Sequence, residues 1–148
     1  MRTASDTREV FVEGESGIMA MTPELQRPQY TPATRRLVWM NGTQAILASA
    51  DEPDKIRGIQ AHKTLWMDPR TDDLDTFGHV RMATRLGDMP QILIAGMLNR
   101  KGPLFDVINH DLIKDPVHTR LTSGSWQMIE EHLEPRWIKI MKEMGSIT

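Results

Sequence analysis

Lys63-Thr-Leu-Trp-Met-Asp68-Pro-Arg-Thr-Asp-Asp73 runs a short, mostly apolar stretch into an aspartate and then into a proline. Leu65, Trp66 and Met67 suit a strand, and Pro69 cannot continue its hydrogen-bonded ladder. The acidic residues that follow favour a helix start, because Asp complements the dipole of the first turn. A helix is therefore predicted from Asp72 to Leu86, burying Leu74, Phe77, Val80, Met82 and Ala83, with Gly87 stopping it. Pro90-Gln-Ile-Leu-Ile-Ala-Gly96 is then a continuous apolar run between turn residues, the pattern of a strand buried on both faces. Strand, helix and strand in succession indicate an α/β domain with a mainly parallel sheet.

Outward from this unit, Arg36-Leu-Val-Trp-Met40, Asn41-Gly42 and Thr43-Gln-Ala-Ile-Leu-Ala-Ser49 read as a β-hairpin. Asn-Gly between two apolar, partly β-branched runs predicts a two-residue turn with positive φ at both positions. Thr3 to Gly14 reads as a short helix, with Thr3 as cap, Asp6 three residues on, and Val10 and Phe11 on its apolar edge. Glu13-Gly-Glu-Ser-Gly17 ends it as a plain turn; G-x-S-x-G would need one more residue after Ser16. Pro23 to Pro32 reads as a loop, and Ala50 to Gly58 as polar and turn-rich. A short helix is expected from Pro103 to Asn109 and an alternating strand from Val117 to Ser123. A last helix, near Glu131 to Met144, is expected to bury Leu133, Trp137, Ile140, Met141 and Met144 at helical spacing, with Pro135 in its first turn and Glu131 and Glu134 complementing its dipole.

Composition narrows the chemistry. The chain of 148 residues is 39% hydrophobic and 26% charged, enough for one domain that buries roughly 70% of its unfolded surface. Eighteen basic against twenty acidic side chains argue against a dedicated nucleic-acid-binding face. Arg35-Arg36, Arg100-Lys101 and Lys139/Lys142 are too dispersed for a DNA track and read as solvated charge. The absence of cysteine excludes disulfides and thiolate metal sites. His62, His79, His110, His118 and His132 lack metal-ligand spacing. No apolar run reaches the ~20 residues of a membrane span, and the N-terminus lacks the apolar core of a signal peptide, so a soluble, intracellular protein is expected.

Five segments in one order carry a resemblance: VEGESGIMA (12–20), RRLVWMNGTQAILASADEPDKIRGIQ (35–60), the strand to Asp68, ATRLGDMPQILIA (83–95) and SGSWQMIEEHLEPRW (123–137). They resemble successive blocks of the ATPase domain in the large terminase subunit of tailed phages, the motor that packages DNA into proheads. Ser49, Pro53, Arg57 and Gly58 in SADEPDKIRG, and TRLGDMPQ before a strand, are the most specific blocks. The resemblance implies a partial P-loop-NTPase-like fold over residues 1–148, with a mainly parallel sheet, flanking helices and one β-hairpin. It places Asp68 at the Walker B aspartate, which helps hold magnesium on ATP. It sets Arg57 and Gly58 beside the nucleotide; a structural arginine tying a loop to a carboxylate is the alternative for Arg57.

The departures bear on activity. No G-x-x-x-x-G-K-[ST] is present, so the backbone cradle and lysine that hold phosphates are lacking. Pro69 stands where the family has its catalytic glutamate, and Ala95-Gly96-Met97-Leu98 where it has its coupling motif. Asp73 and Asp75 could be considered as substitute bases, but the helix start accounts for them. By the resemblance, the Walker A region lies upstream of Met1 and the nuclease domain beyond Thr148. No catalytic residue is assigned, and no ATP hydrolysis is expected of the chain alone, because phosphoryl transfer needs cradle, lysine, magnesium and a water-orienting carboxylate together. Expected partners are other terminase subunits, a portal and double-stranded DNA, in the cytoplasm of an infected bacterium. A non-catalytic interaction protein is the alternative.

Overall fold

A computed structural model describes residues 7–70, 72–96, 101–124, 127–128 and 134–144. Thr3, Asp6, Met97, Leu98, Arg100, Glu131, His132 and Leu133 lie outside the described residues. The chain divides into two compact units, Met1–Asn109 and His110–Thr148.

The first unit begins with a π-helical turn over Thr7–Val12, closed by the Glu13 N–H donating to the Arg8 carbonyl at 3.0 Å. Gly14 and Gly17 then form the plain turn read from sequence, the Gly17 N–H donating to the Gly14 carbonyl at 2.8 Å, and helix α1 (Ile18–Met21) follows. Strands β1 (Gln29–Thr31), β2 (Arg36–Val38) and β3 (Gln44–Ile46) make an antiparallel sheet in the order β1-β2-β3. Residues Gln29 to Thr31, read as loop because prolines flank them, thus form an edge strand of the hairpin sheet. Pro28 and Pro32 stand outside the paired residues, where their missing N–H groups break no ladder bond.

The hairpin turn has three residues rather than two. Val38 pairs with Gln44, the Trp39 N–H reaches the Thr43 carbonyl at 2.9 Å, and the Gly42 N–H reaches the Trp39 carbonyl at 3.0 Å. Only Gly42, with φ +83°, takes the left-handed conformation. Asn41 instead accepts the Thr43 N–H on its Oδ1 at 3.0 Å. This is a type I turn followed by a glycine bulge, the other short solution to a hairpin.

Helix α2 (Pro53–Arg57) lies in the stretch read as turn-rich. Pro53 occupies its first position, where a fixed φ favours the helix and no N–H is needed. Strands β4 (Lys63–Met67) and β5 (Gln91–Ala95) pair in parallel in a separate two-stranded sheet, with helix α3 (Leu74–Ala83) between them in sequence. The chain is α/β, but its strands do not form one mainly parallel sheet. Among the described residues three strands are antiparallel and two are parallel, because the hairpin recruits β1 rather than joining β4 and β5.

Helix α3 ends at Ala83, short of Gly87, because Thr84 leaves the helix to form a parallel bridge with Ala61. The Thr84 hydroxyl donates to the Val80 carbonyl at 2.8 Å and lies 2.5 Å from the Thr64 hydroxyl, tying the helix end to β4. Of the residues predicted to be buried, Phe77, Val80 and Ala83 are, whereas Leu74 and Met82 are exposed. Among the described residues, two clusters of buried side chains form around α3. Ile56, Val80 and Ala83, with Ile59 and Ile92, join α2, α3 and β5. Trp66, Phe77 and Leu104, with Ile94, Val107 and Ile108, join β4, α3, β5 and helix α4 (Pro103–Lys114). The Trp66 and Phe77 rings stack with centroids 6.1 Å apart, and the Arg81 guanidinium lies over Phe77 at 5.5 Å.

Strand β5 is not buried on both faces. Thr64, Trp66, Ile92 and Ile94 are at least partly buried, while their alternates Leu65 and Leu93, paired across the strands, are 48% and 63% exposed. A parallel pair ordinarily has both faces covered.

In the second unit, residues 117–123 form no strand. The Asp115 carboxylate holds the His118 Nδ1 at 2.9 Å, and the Thr119 N–H donates to the Asp115 carbonyl at 3.0 Å, which bends the chain into a turn. Helix α5 (Pro135–Glu143) starts on Glu134, whose carboxylate accepts the Trp137 N–H at 2.6 Å. Ile138 is its buried residue; Trp137, Ile140 and Met144, predicted to be buried, are exposed. No helix among the described residues is long and apolar enough to cross a membrane.

Candidate functional site

The parallel pair β4/β5 brings Asp68 to the carboxyl ends of its strands, the edge at which open α/β sheets place their ligands. The Asp68 N–H donates to the Ala95 carbonyl at 2.8 Å, one residue beyond the Met67–Ala95 pair. Its φ of +47° turns the chain out of the strand, a left-handed conformation that Asp tolerates better than most residues. Asp68 is exposed and Pro69, directly after it, is buried. A buried proline supplies neither a carboxylate nor an N–H directly after Asp68.

Gly96 closes over this end of the sheet with φ +154°. A β-carbon on it would lie 2.8 Å from the Asp68 Cα and 2.9 Å from Asp68 Oδ1. The carboxylate thus packs against the bare Cα of Gly96, directly after β5.

Asp73 and Asp75 do not join Asp68. Asp73 caps α3 with its backbone; its carboxylate accepts the Arg70 N–H at 3.0 Å and faces the Arg70 guanidinium at 3.5 Å. Asp75 lies in the first helical turn. No three His, Asp or Glu groups converge as a metal cluster among the described residues. Magnesium commonly takes one or two carboxylates and completes its shell with water and substrate phosphates. Asp68 offers one carboxylate, and the sequence has no phosphate cradle to bring the nucleotide to it. This donor set does not fit a self-sufficient Mg-ATP site, and no step of hydrolysis is derived through it.

Arg57 is engaged elsewhere. Its Nε donates to His79 Nε2 on α3 at 3.0 Å, and its Nη1 lies 3.5 Å from Asp54 Oδ1 one turn earlier in α2. The acceptor role of Nε2 sets the proton of the neutral ring on Nδ1, a buried atom with no hydrogen-bond partner among the described residues. Arg57 therefore links α2 to α3, while Asp68 stands at the end of β4.

A second group of polar residues was not legible in the sequence. Glu52 accepts from Lys55 Nζ at 2.5 Å and from Arg35 Nη1 at 3.1 Å, joining the start of α2 to the chain before β2. These two hydrogen bonds, Lys55 first and Arg35 second, hold the Glu52 carboxyl below its ordinary value. Arg35 carries φ +52°, a left-handed conformation that costs a non-glycine residue about 1–2 kcal/mol. Beside this group a cleft of about 750 Å³ opens between the base of the hairpin and α2.

Neither a family model, nor a curated protein, nor a solved structure gives a significant match to the chain.

Proposed function

We propose that this chain is a portion of a terminase-type DNA-packaging motor that does not hydrolyse ATP by itself. The observation that carries the reading is the position of Asp68. It ends a parallel strand at the carboxyl edge of the β4/β5 pair, the place the resemblance gives to a Walker B aspartate, and Pro69 follows it. On this reading the fold is a partial P-loop-NTPase-like one, Asp68 would present its carboxylate to a magnesium ion held on ATP by another chain, and Arg57 would hold α2 on α3. The phosphate cradle and the catalytic base come from a partner. Other terminase subunits, the portal and double-stranded DNA are the corresponding partners, in the cytoplasm of the infected bacterium.

The open outer face of β4/β5 favours a second reading, a non-catalytic interaction protein that keeps the motor's surface to bind packaging partners. Leu65 and Leu93 stand side by side there, exposed, on strands that a parallel sheet would normally cover.

The test is ATP binding and magnesium-dependent hydrolysis by the purified chain, alone and with a protein that carries the G-x-x-x-x-G-K-[ST] cradle. Turnover only in the mixture, abolished by Asp68→Ala, supports the motor reading. Stable complex formation without turnover supports the interaction reading. Hydrolysis by the chain alone overturns both.

A further inference from the structure

The cleft beside Glu52 has a composition that neither reading of Asp68 uses. Its walls come from residues 33–36, from the end of β3 and the segment after it, and from the far end of α2. Arg35, Arg36 and Lys55 all line it. The carboxylate that faces them is Glu52, shared between Arg35 and Lys55. Asp54 is directed to Arg57 instead, and Arg36 donates to the neutral side-chain carbonyl of Gln44 at 3.1 Å. The lining holds three cations and no acidic residue, and Glu52, bonded to two of them, offsets one charge, which leaves about two positive charges to offer.

We propose that this cleft binds a phosphorylated small molecule, its phosphoryl group held by Arg35, Arg36 and Lys55. A phosphoryl monoester carries about −1.5 to −2 charges at neutral pH, which matches that excess where a single carboxylate would not. The guanidinium fork grips two oxygens at once and the lysine acts as a point charge. The space also exceeds what an inorganic ion fills, lying in the range of about 300–1,000 Å³ usual for organic ligands. Ile46, Leu47 and Ile59 give the remainder of the molecule an apolar wall. The strained backbone of Arg35 belongs to the same device. The left-handed turn after Pro32–Thr34 fixes where its side chain leaves the chain, and Glu52 then holds the guanidinium at the rim before a ligand arrives. Neither Asp68 nor Arg57 lines the cleft, so the site stands independently of the motor reading.

The experiment is titration of the full chain with AMP, with inorganic pyrophosphate and with a 12-nucleotide single-stranded DNA, at constant ionic strength and without divalent metal, followed by calorimetry and by amide shifts. AMP is expected to bind saturably, shifting the amides of residues 33–36, 46–49 and 55–60. Arg35→Gly removes a cation while giving the left-handed position the residue that suits it, so it keeps the fold; Lys55→Gln removes a second cation from an exposed position. Each is expected to weaken binding about ten- to hundredfold, as loss of a charged hydrogen bond does, with the circular-dichroism spectrum unchanged. Saturable binding of the oligonucleotide to the same amides, without AMP, would overturn the small-molecule site and point to a nucleic-acid backbone instead. No saturable binding of any of the three probes, or binding that both variants leave unchanged, would overturn the proposal.

Discussion

Gly96 and Asp68 meet at the end of the parallel strands so closely that the glycine's missing side chain is what lets them coexist. A β-carbon on Gly96 would stand 2.8 Å from the Asp68 Cα and 3.0 Å from its backbone nitrogen, and the φ of +154° is one that other residues rarely adopt. Gly96→Ala should therefore force β4 and β5 apart at their carboxyl ends. Combined backbone strain and overpacking predict a loss of roughly 2–4 kcal/mol. Urea unfolding followed by tryptophan fluorescence measures it, and a variant as stable as the parent would show that the two residues do not pack this way.

At the hairpin the position of Gly42 is open. Nothing lies within 4 Å of a β-carbon placed there, and only φ +83° opposes a side chain. Gly42→Ala should cost about 1 kcal/mol, and Gly42→Asn less, because Asn tolerates the left-handed region. The contrast with Gly96 separates a conformational demand from a steric one. Equal losses for alanine and asparagine, read from urea midpoints, would contradict the turn described for residues 39–43.

Phe77 joins the Trp66 ring to Leu104 and lies beneath Arg81. Phe77→Ala should destabilise the first unit by about 3–5 kcal/mol, the range for deleting a buried aromatic side chain. Phe77→Leu, which keeps most of the volume but loses the stacking, should cost clearly less. Thermal and urea unfolding of the two variants would decide it, with the stacked geometry refuted if leucine is as damaging as alanine.

The ties of Glu52 carry a dependence on pH. Hydrogen bonds from Lys55 and then Arg35 lower its folded-state value below the ordinary 4.5. A depressed carboxyl contributes stability that is present above its unfolded value and is lost as pH falls through the lowered folded value. The tie between α2 and the chain before β2 should therefore persist at neutral and mildly acidic pH and weaken only below the usual carboxylate range. Glu52→Gln should remove that acid-side dependence. Carbon-detected titration of the Glu52 carboxyl reads it directly, and a midpoint at or above 4.5 would contradict the arrangement.

Local chemistry was readable where one short signal decides the backbone. Met67-Asp68-Pro69 marked the end of a strand, and β4 does stop at Met67. Asn41-Gly42 marked a hairpin, although its turn type depends on which of the two residues goes left-handed, and the Asx contact of Asn41 with Thr43 settles that for Gly42. Signals that need a partner were misread. Val117 to Ser123 alternates as a strand would, yet alternation is only a demand for a partner, and the Asp115–His118 contact turns the chain instead. Gln29 to Thr31 shows no alternation worth the name and still pairs, because β2 lies beside it. Pro53 served as a turn signal when it was a helix start. In the same way Asp68 could be singled out from its own neighbours, whereas the cleft of Arg35, Arg36 and Lys55 depends on two segments some twenty residues apart being folded against each other.

Helix α3 gives Phe77 to one cluster and Val80 with Ala83 to the other, so ten residues serve two cores at once. Neither core can open while the other stays whole, since melting either requires the same helix to leave. The elements these clusters join, α2, β4, α3, β5 and the start of α4, should accordingly unfold as one cooperative block, and amides of β4 and of α2 should exchange with solvent at a common limiting free energy despite belonging to different clusters.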